Sequence, residues 1–260
     1  MSAAAATPLD KTAGFFQSRG FDFLVFIALV LALWQLANYW GGDLAMTTPI
    51  GTLVFAGKTL ASAEFWPHAQ ATLGAFAMAF VLAASAGVLV GAALGFHRLS
   101  GEVAEPILVA IYSIPKVTLY PIILLFFGIG VSAEVAFGAL HGVIPIALFT
   151  MNAVRNIKPV YIKTARVMRI GPWALLRTVL LPATLPEVFT GLRVGFSLTL
   201  IGTLLSEMFG SRRGIGFQLM QAIGLHHMDI IMSLTFLLVA LAGIANALML
   251  LVDHRLHRRG

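Results

Sequence analysis

The sequence predicts an all-α, polytopic integral membrane protein with six transmembrane helices, and three observations predict it. Of 260 residues, 59% are apolar and only 11% charged, whereas a soluble domain carries about a quarter charged residues. Mean hydropathy is +0.92. Six separate runs are long enough to cross a bilayer, whose apolar core takes about 20 helical residues. A single packed core could not hide this much apolar surface, so lipid must be its main solvent.

The elements follow in chain order. Residues 1–20, "MSAAAATPLDKTAGFFQSRG", form a polar, weakly basic tail. The first span, about 21–40, is read as retained rather than cleaved, because no small-x-small site follows it. Further spans fall at about 71–96, 106–127, 134–151, 188–209 and 230–252, within one membrane domain at 21–252. The third and fourth are joined by the short "GIGVSAE", which predicts a tight helical hairpin. A basic tail, 253–260, ends the chain. Gly87, Gly91 and Gly95 recur at four-residue spacing in the second span, as do Gly191 and Gly195 in the fifth. Such stripes let helix backbones approach closely where lipid supplies no hydrophobic drive.

Lys and Arg set the sidedness, because short cytoplasmic loops are enriched in them. Twelve of the seventeen fall in the N-terminal tail, the 97–105 loop, the 152–187 loop and the C-terminal tail. Both termini are therefore expected in the cytoplasm. The other side has only Lys58, Arg212 and Arg213, while Lys116 and Arg193 fall inside spans. Topology accounts for the net charge of +6, and nucleic acid is not needed as a partner.

Several chemistries are excluded or disfavoured. With no cysteine there is no disulfide or thiolate site. "GTLVFAGKT" (51–59) has five residues between its first two glycines, where a phosphate-binding loop needs four. His226 and His227 are adjacent and point to different faces, so no metal site is expected. No catalytic constellation is present.

"KTARVMRIGPWALLRTVLLPATLP" (163–186) interrupts two apolar runs with basic residues. Tyr161–Arg169 reads as one short helix, broken by Gly171-Pro172, and Trp173–Leu181 as a second, stopped by Pro182. Two such helices suit the cytoplasmic face, either resting on anionic headgroups or presented to a soluble partner. The order K-T-A-x-x-x-R, nine residues, then Val179-x-Leu181-Pro182 resembles the cytoplasmic loop of ABC importer permeases, E-A-A-x-x-x-G, nine residues, I-x-L-P. "IPKVTLYPIILLFFGIG" (114–130) and "SEMFGSRRGIG" (206–216) are similar to the branch that imports taurine, alkanesulfonates and nitrate. The resemblance covers roughly residues 45–255.

That resemblance implies a transport subunit of the bacterial inner membrane rather than an enzyme. It implies a second permease copy, two ATP-binding subunits that carry ATP and Mg (this chain carrying no cofactor), and an external solute-binding protein. It places Lys163, Thr164, Ala165, Arg166, Arg169, Gly171, Pro172 and Trp173 on the ATPase-coupling segment. Lys163 and Arg169 stand where the family has Glu and Gly, which implies an acidic residue in the partner's groove.

Ionisable groups at membrane depth are costly and usually functional. Lys116 lies between Pro115 and Pro121, whose freed carbonyls suit a cavity wall, and a cation there suits an anionic solute. An internal Lys–Glu pair or a lysine snorkelling to the surface are the structural alternatives. Ser113, His141 and Glu207 complete the residues assigned to the pathway or its gating; His141 alternatively bonds only a backbone carbonyl. Arg193 reads as an interfacial anchor. An ion-gradient-driven transporter and a membrane scaffold remain the rival functions, and ABC import of a neutral or cationic nutrient such as a thiamine precursor is the alternative to a small anion such as a sulfonate, taurine or nitrate.

Overall fold

The computed structural model describes residues 19–42 and 45–257. The N-terminal tail up to residue 18, with Lys11, and the last residues, with Arg258 and Arg259, lie outside them.

Among the described residues every regular element is helical. They comprise α1 Arg19–Gly41, α2 Pro49–Ala61, α3 Phe65–Phe96, α4 Arg98–Ser113, a 3-10 turn Lys116–Leu119, α5 Tyr120–Phe127, α6 Val131–Arg155, α7 Pro159–Val167, α8 Pro172–Leu175, α9 Leu181–Gly210, α10 Ile215–Gly224 and α11 Met228–His257. Five helical runs are long and apolar enough to cross a membrane, and α4 with its continuation through α5 makes a sixth crossing if counted as one bent span.

Helix α6 is the centre. Of its most apolar stretch 61% is buried, against none of the corresponding stretches of α1 and α11. Glycine explains how α6 can be enclosed. A Cβ at Gly87 would lie 2.7 Å from Ile146 Cβ, and one at Gly95 2.7 Å from Val154 Cβ, while Gly91 faces the Ala147 carbonyl. The stripe of α3 thus lies flat on one side of α6. Gly191 and Gly195 of α9 approach Phe149 and Ile146 on the other side. Beyond the glycines, Phe76, Phe80 and Phe196 fill the α3–α9 contact edge to face, with ring centroids 4.8 and 5.4 Å apart for the two pairs that involve Phe196.

Three expectations are corrected. The third span is not one helix over 106–127: it starts at Arg98, within the expected 97–105 loop, and bends by 84° between Ser113 and Lys116. Pro115 supplies no N–H, and Ile114 before it is extended, with ψ 132°. Second, Pro182 does not stop the helix. Residues Pro172–Gly210 run on as a single 39-residue helix. A five-residue π turn, Leu176–Leu180, closed by Leu181 N–H to the Leu176 carbonyl, widens the backbone just ahead of the proline. Pro182 then occupies the first turn of α9, where a missing N–H costs little. Third, the stretches left between spans at 41–70 and 210–229 contain α2 and α10, and α3 begins at Phe65 rather than near 71. The decoy 51–59 lies within α2, in no loop that could cradle a phosphate.

Candidate functional site

At one end of the bundle, α7 and α8 present the basic insert. Pro159 starts α7, and buried Ala165 turns one face toward the body of the protein. Lys163, Thr164, Arg166 and Arg169 are exposed, as are Gly171, Pro172 and Trp173. The Arg177 guanidinium sits 5.1 Å from the Trp173 ring centroid.

The end of α7 shows why glycine belongs at position 169. Ile170 N–H reaches back to the Ala165 carbonyl at 3.0 Å, and Met168 N–H to Thr164 at 2.9 Å. This closure puts residue 169 in the left-handed region, with φ +51°, the conformation glycine usually supplies at a helix C-terminus. Arg169 holds it at a cost of roughly 1–2 kcal/mol, because its Cβ crowds the following carbonyl. The departure from the glycine pattern therefore changes the side chain without changing the turn.

The bend between α4 and the 3-10 turn is the second feature. Lys116 opens the turn, half-buried; its Nζ donates to the Tyr112 carbonyl at 3.1 Å and lies 4.8 Å from the Tyr112 ring centroid. Among the described residues the ion pairs are Arg98–Glu102, Arg155–Glu105 and Arg193–Asp253. Lys116 belongs to none of them, so the internal Lys–Glu pair is not formed. Ser113 Oγ closes onto the Val109 carbonyl at 3.0 Å, and Pro121 falls in the first turn of α5.

At the opposite end of α9, Glu207 is fully buried. Its Oε2 accepts from Thr72 Oγ1 at 2.9 Å and from Gly216 N–H at 2.8 Å. Thr72 Oγ1 in turn accepts Ile215 N–H at 2.8 Å, and His68 Nδ1 accepts Gly214 N–H at 3.0 Å. Gly214 has φ +112°, and a Cβ there would strike the Glu207 carboxyl group. Two helices thus clamp the "GIG" turn that begins α10, so the "EMFG" stretch anchors the segment after α9. Alongside it, Tyr120 donates to the Ser206 carbonyl at 2.8 Å, tying α5 to α9.

His141 is buried in α6, its Nδ1 2.9 Å from the Phe137 carbonyl and its ring edge-on to Phe137 at 4.5 Å. Gly202 leaves room for that imidazole. Arg193 pairs with Asp253 of α11 at 3.6 Å, and Thr190 Oγ1 donates to the same carboxylate at 3.3 Å. Arg155 holds Glu105 at 2.7 Å.

The insert, the broken span and the clamped turn are joined in one helical body. The family model for binding-protein-dependent transport system inner membrane components matches residues 83–259. The chain belongs to this family. The permease is 33% identical to the riboflavin transport system permease protein RibX of Chloroflexus aurantiacus over 235 residues, 86% of this chain and 87% of the relative. It is 26% identical to the putative aliphatic sulfonates transport permease protein SsuC of Bacillus subtilis over 201 residues, 76% and 73% of the two chains. It is 28% identical to the taurine transport system permease protein TauC of Escherichia coli over 160 residues, 62% and 58%.

Sequence reasoning missed the partners of Glu207. Thr72 and His68 lie some 140 residues away in the chain, and an isolated Thr or His in an apolar run carries no signal of its own. It also missed Glu134, which is buried at the start of α6 with Oε2 unpartnered. Its position inside a predicted span was the available clue.

Proposed function

We propose that this permease is one half of a paired transmembrane pathway of an ATP-driven importer, with two copies of the chain side by side. Two separate ATP-binding subunits, which hold ATP and Mg, engage the α7–α8 segment. An external binding protein delivers the solute at the other end of the bundle, so the coupling end and both chain termini face the cytoplasm.

The exposed basic helix α7 is the observation that carries this reading. It is short, amphipathic and joined through Gly171-Pro172 to a helix that continues across the membrane. A push on α7–α8 therefore acts directly on the end of a membrane-crossing helix. Lys163 and Arg169 call for acidic residues in the partner's groove, since like-signed charges there would repel. The left-handed Arg169 supports this, because strain of that size persists where the surroundings or the function maintain it.

The solute is read as a small anion. Lys116 stands unpaired by any carboxylate among the described residues, at the break of a bent span, where a cation can meet an anion in transit. Names of the relatives include sulfonate and taurine transport but also riboflavin transport, so the anion assignment rests on Lys116.

Reconstitution in proteoliposomes with its ATP-binding partner tests the function. Uptake should require ATP on the α7 side and survive collapse of ion gradients. Uptake that follows an ion gradient without ATP would replace this reading with a secondary transporter.

A further inference from the structure

Helix α4 is held at its foot and free along most of its length. Of its residues only Gly101 is buried, and from Pro106 to Ser113 all but Leu108 are exposed. A Cβ at Gly101 would lie 3.0 Å from the Leu94 carbonyl oxygen and 3.0 Å from Arg155 Cδ, so the foot rests on α3 and on the last residue of α6. The Arg155 side chain passes Gly101, and its Nη1 donates to Glu105 Oε2 at 2.7 Å, one turn further along α4. Past the bend, the Tyr120 hydroxyl ties α5 to the Ser206 carbonyl at 2.8 Å, and its ring meets Phe137 edge to face at 4.9 Å. Between these two attachments lie Ile114-Pro115, in extended backbone, and Lys116.

Arg155 also stands at the root of the basic insert. It ends α6, and only Asn156, Ile157 and Lys158 separate it from α7. Its side chains being 22% and 41% exposed, the Arg155–Glu105 pair is screened by solvent and adds little to stability. A short, charge-assisted bond nevertheless fixes direction as well as distance, and this one joins the insert's root to a helix distant in the chain. The neighbouring Arg98–Glu102 pair, by contrast, lies within α4 itself. Hinges in switching proteins are a few loop or element-terminal residues that absorb a change of backbone angle, and Ile114-Pro115 is such a place, at the head of α4.

We infer that Arg155 and Glu105 are positioning residues that carry movement of the α7–α8 segment to the bend at Lys116, with α4 as a lever pivoting at Gly101. The force enters at Glu105, one turn above the pivot, and the load sits at Ser113, three turns above it. At 1.5 Å rise per residue these arms are about 6 and 18 Å, so a displacement of the α6–α7 junction is enlarged roughly threefold at the bend. The α8–α9 continuity gives the same segment a covalent hold on α9; the ion pair extends that hold to α4, which no covalent path supplies. The lever rests on the importer reading, because the push comes from the ATP-binding partner.

The chain has no cysteine, so spin labels can be placed on cysteines introduced at Val81 of α3 and Ile111 of α4, both exposed. The distance between them is read by pulsed electron paramagnetic resonance in lipid nanodiscs, with the ATP-binding partner bound and labelled chains diluted among unlabelled ones. Trapping ATP and Mg with vanadate should shift that distance by roughly 2–5 Å, a helix shift of 1–2 Å enlarged by the lever. Glu105→Gln and Arg155→Gln should each lose most of the shift while keeping the ATPase and the thermal unfolding midpoint. Exchanging the charges, Glu105→Arg with Arg155→Glu, should restore it, and Glu102→Gln on the same helix should keep it in full. If Arg155→Gln fails to fold, Glu105→Gln, with its more exposed side chain, carries the comparison. An undiminished shift in the single variants, no restoration by the exchange, or loss of the shift together with the bound ATPase would overturn the inference. No shift in the unmodified chain with its ATPase bound would overturn the lever and leave the importer reading standing, whereas a chain that recovers no ATPase would sink both.

Discussion

Two glycines on α3 allow the packing account to be tested by one substitution made twice. At Gly74 an added Cβ meets nothing within 4 Å, whereas at Gly91 it runs into the Ala147 carbonyl, with Thr150 Cβ at 2.7 Å and Ala147 Cα at 3.0 Å. Both positions are helical, so Gly→Ala brings each the same propensity gain of about 0.8–1.0 kcal/mol. The difference between the variants is therefore the packing term. The atoms in the way at Gly91 are largely backbone, which cannot rotate aside, so α3 and α6 must separate. Overpacking of this kind costs roughly 1–3 kcal/mol. Gly74→Ala should raise the thermal unfolding midpoint in detergent slightly, and Gly91→Ala should lie below it by that amount. Indistinguishable midpoints would refute the close approach of α3 to α6.

Three further outcomes follow from the same geometry. Glu207→Ala strands Thr72 and Gly216 N–H in a buried site, at a cost of about 1–3 kcal/mol for each lost partner; Glu207→Gln keeps an acceptor for both and should fall far less in the same melt. Arg193→Ala should destabilise by an amount between the ~0–1 kcal/mol of exposed pairs and the ~3–5 kcal/mol of broken buried ones, because its side chain is 25% exposed. Adding Asp253→Ala should cost less than the two single changes summed, as a double-mutant cycle would read. Lys116→Met should lower the uptake rate of an anionic solute roughly tenfold, the scale of one charged contact, without lowering the unfolding midpoint; unchanged uptake would remove Lys116 from the pathway.

The fold was legible where the cause is local. Apolar runs declare their length, and the Gly-x-x-x-Gly stripes declare a face, although not its partner: nothing in "GVLVGAALG" says that Ile146 and Ala147 of α6 will meet it. Proline was misread in both directions. Pro115 breaks a span that reads as continuous, because its neighbours take extended backbone, while Pro182 is absorbed by a π turn that single-residue rules do not anticipate. At the candidate site, the order of motifs pointed to α7, and Glu207 stood out as a charge at membrane depth. Its clamp did not, since Thr72 and His68 come together with Gly214 only once α3 and α9 both pack on α6. The pairing of Arg193 with Asp253 was not legible, because Asp253 lies 60 residues away, at the end of another helix.

Recovery of a partner tests the central claim most directly. The chain is extracted from its native membrane by an affinity tag and what remains bound is identified, for the unmodified protein and for a variant in which residues 159–171 are a neutral linker of equal length. The linker stops at 171 because Pro172 already belongs to the membrane-crossing helix. Co-purification of a soluble ATPase with the first and its loss from an equally well-folded second is the predicted result. A well-folded chain that recovers no ATPase, or one that retains it without α7, would contradict the account.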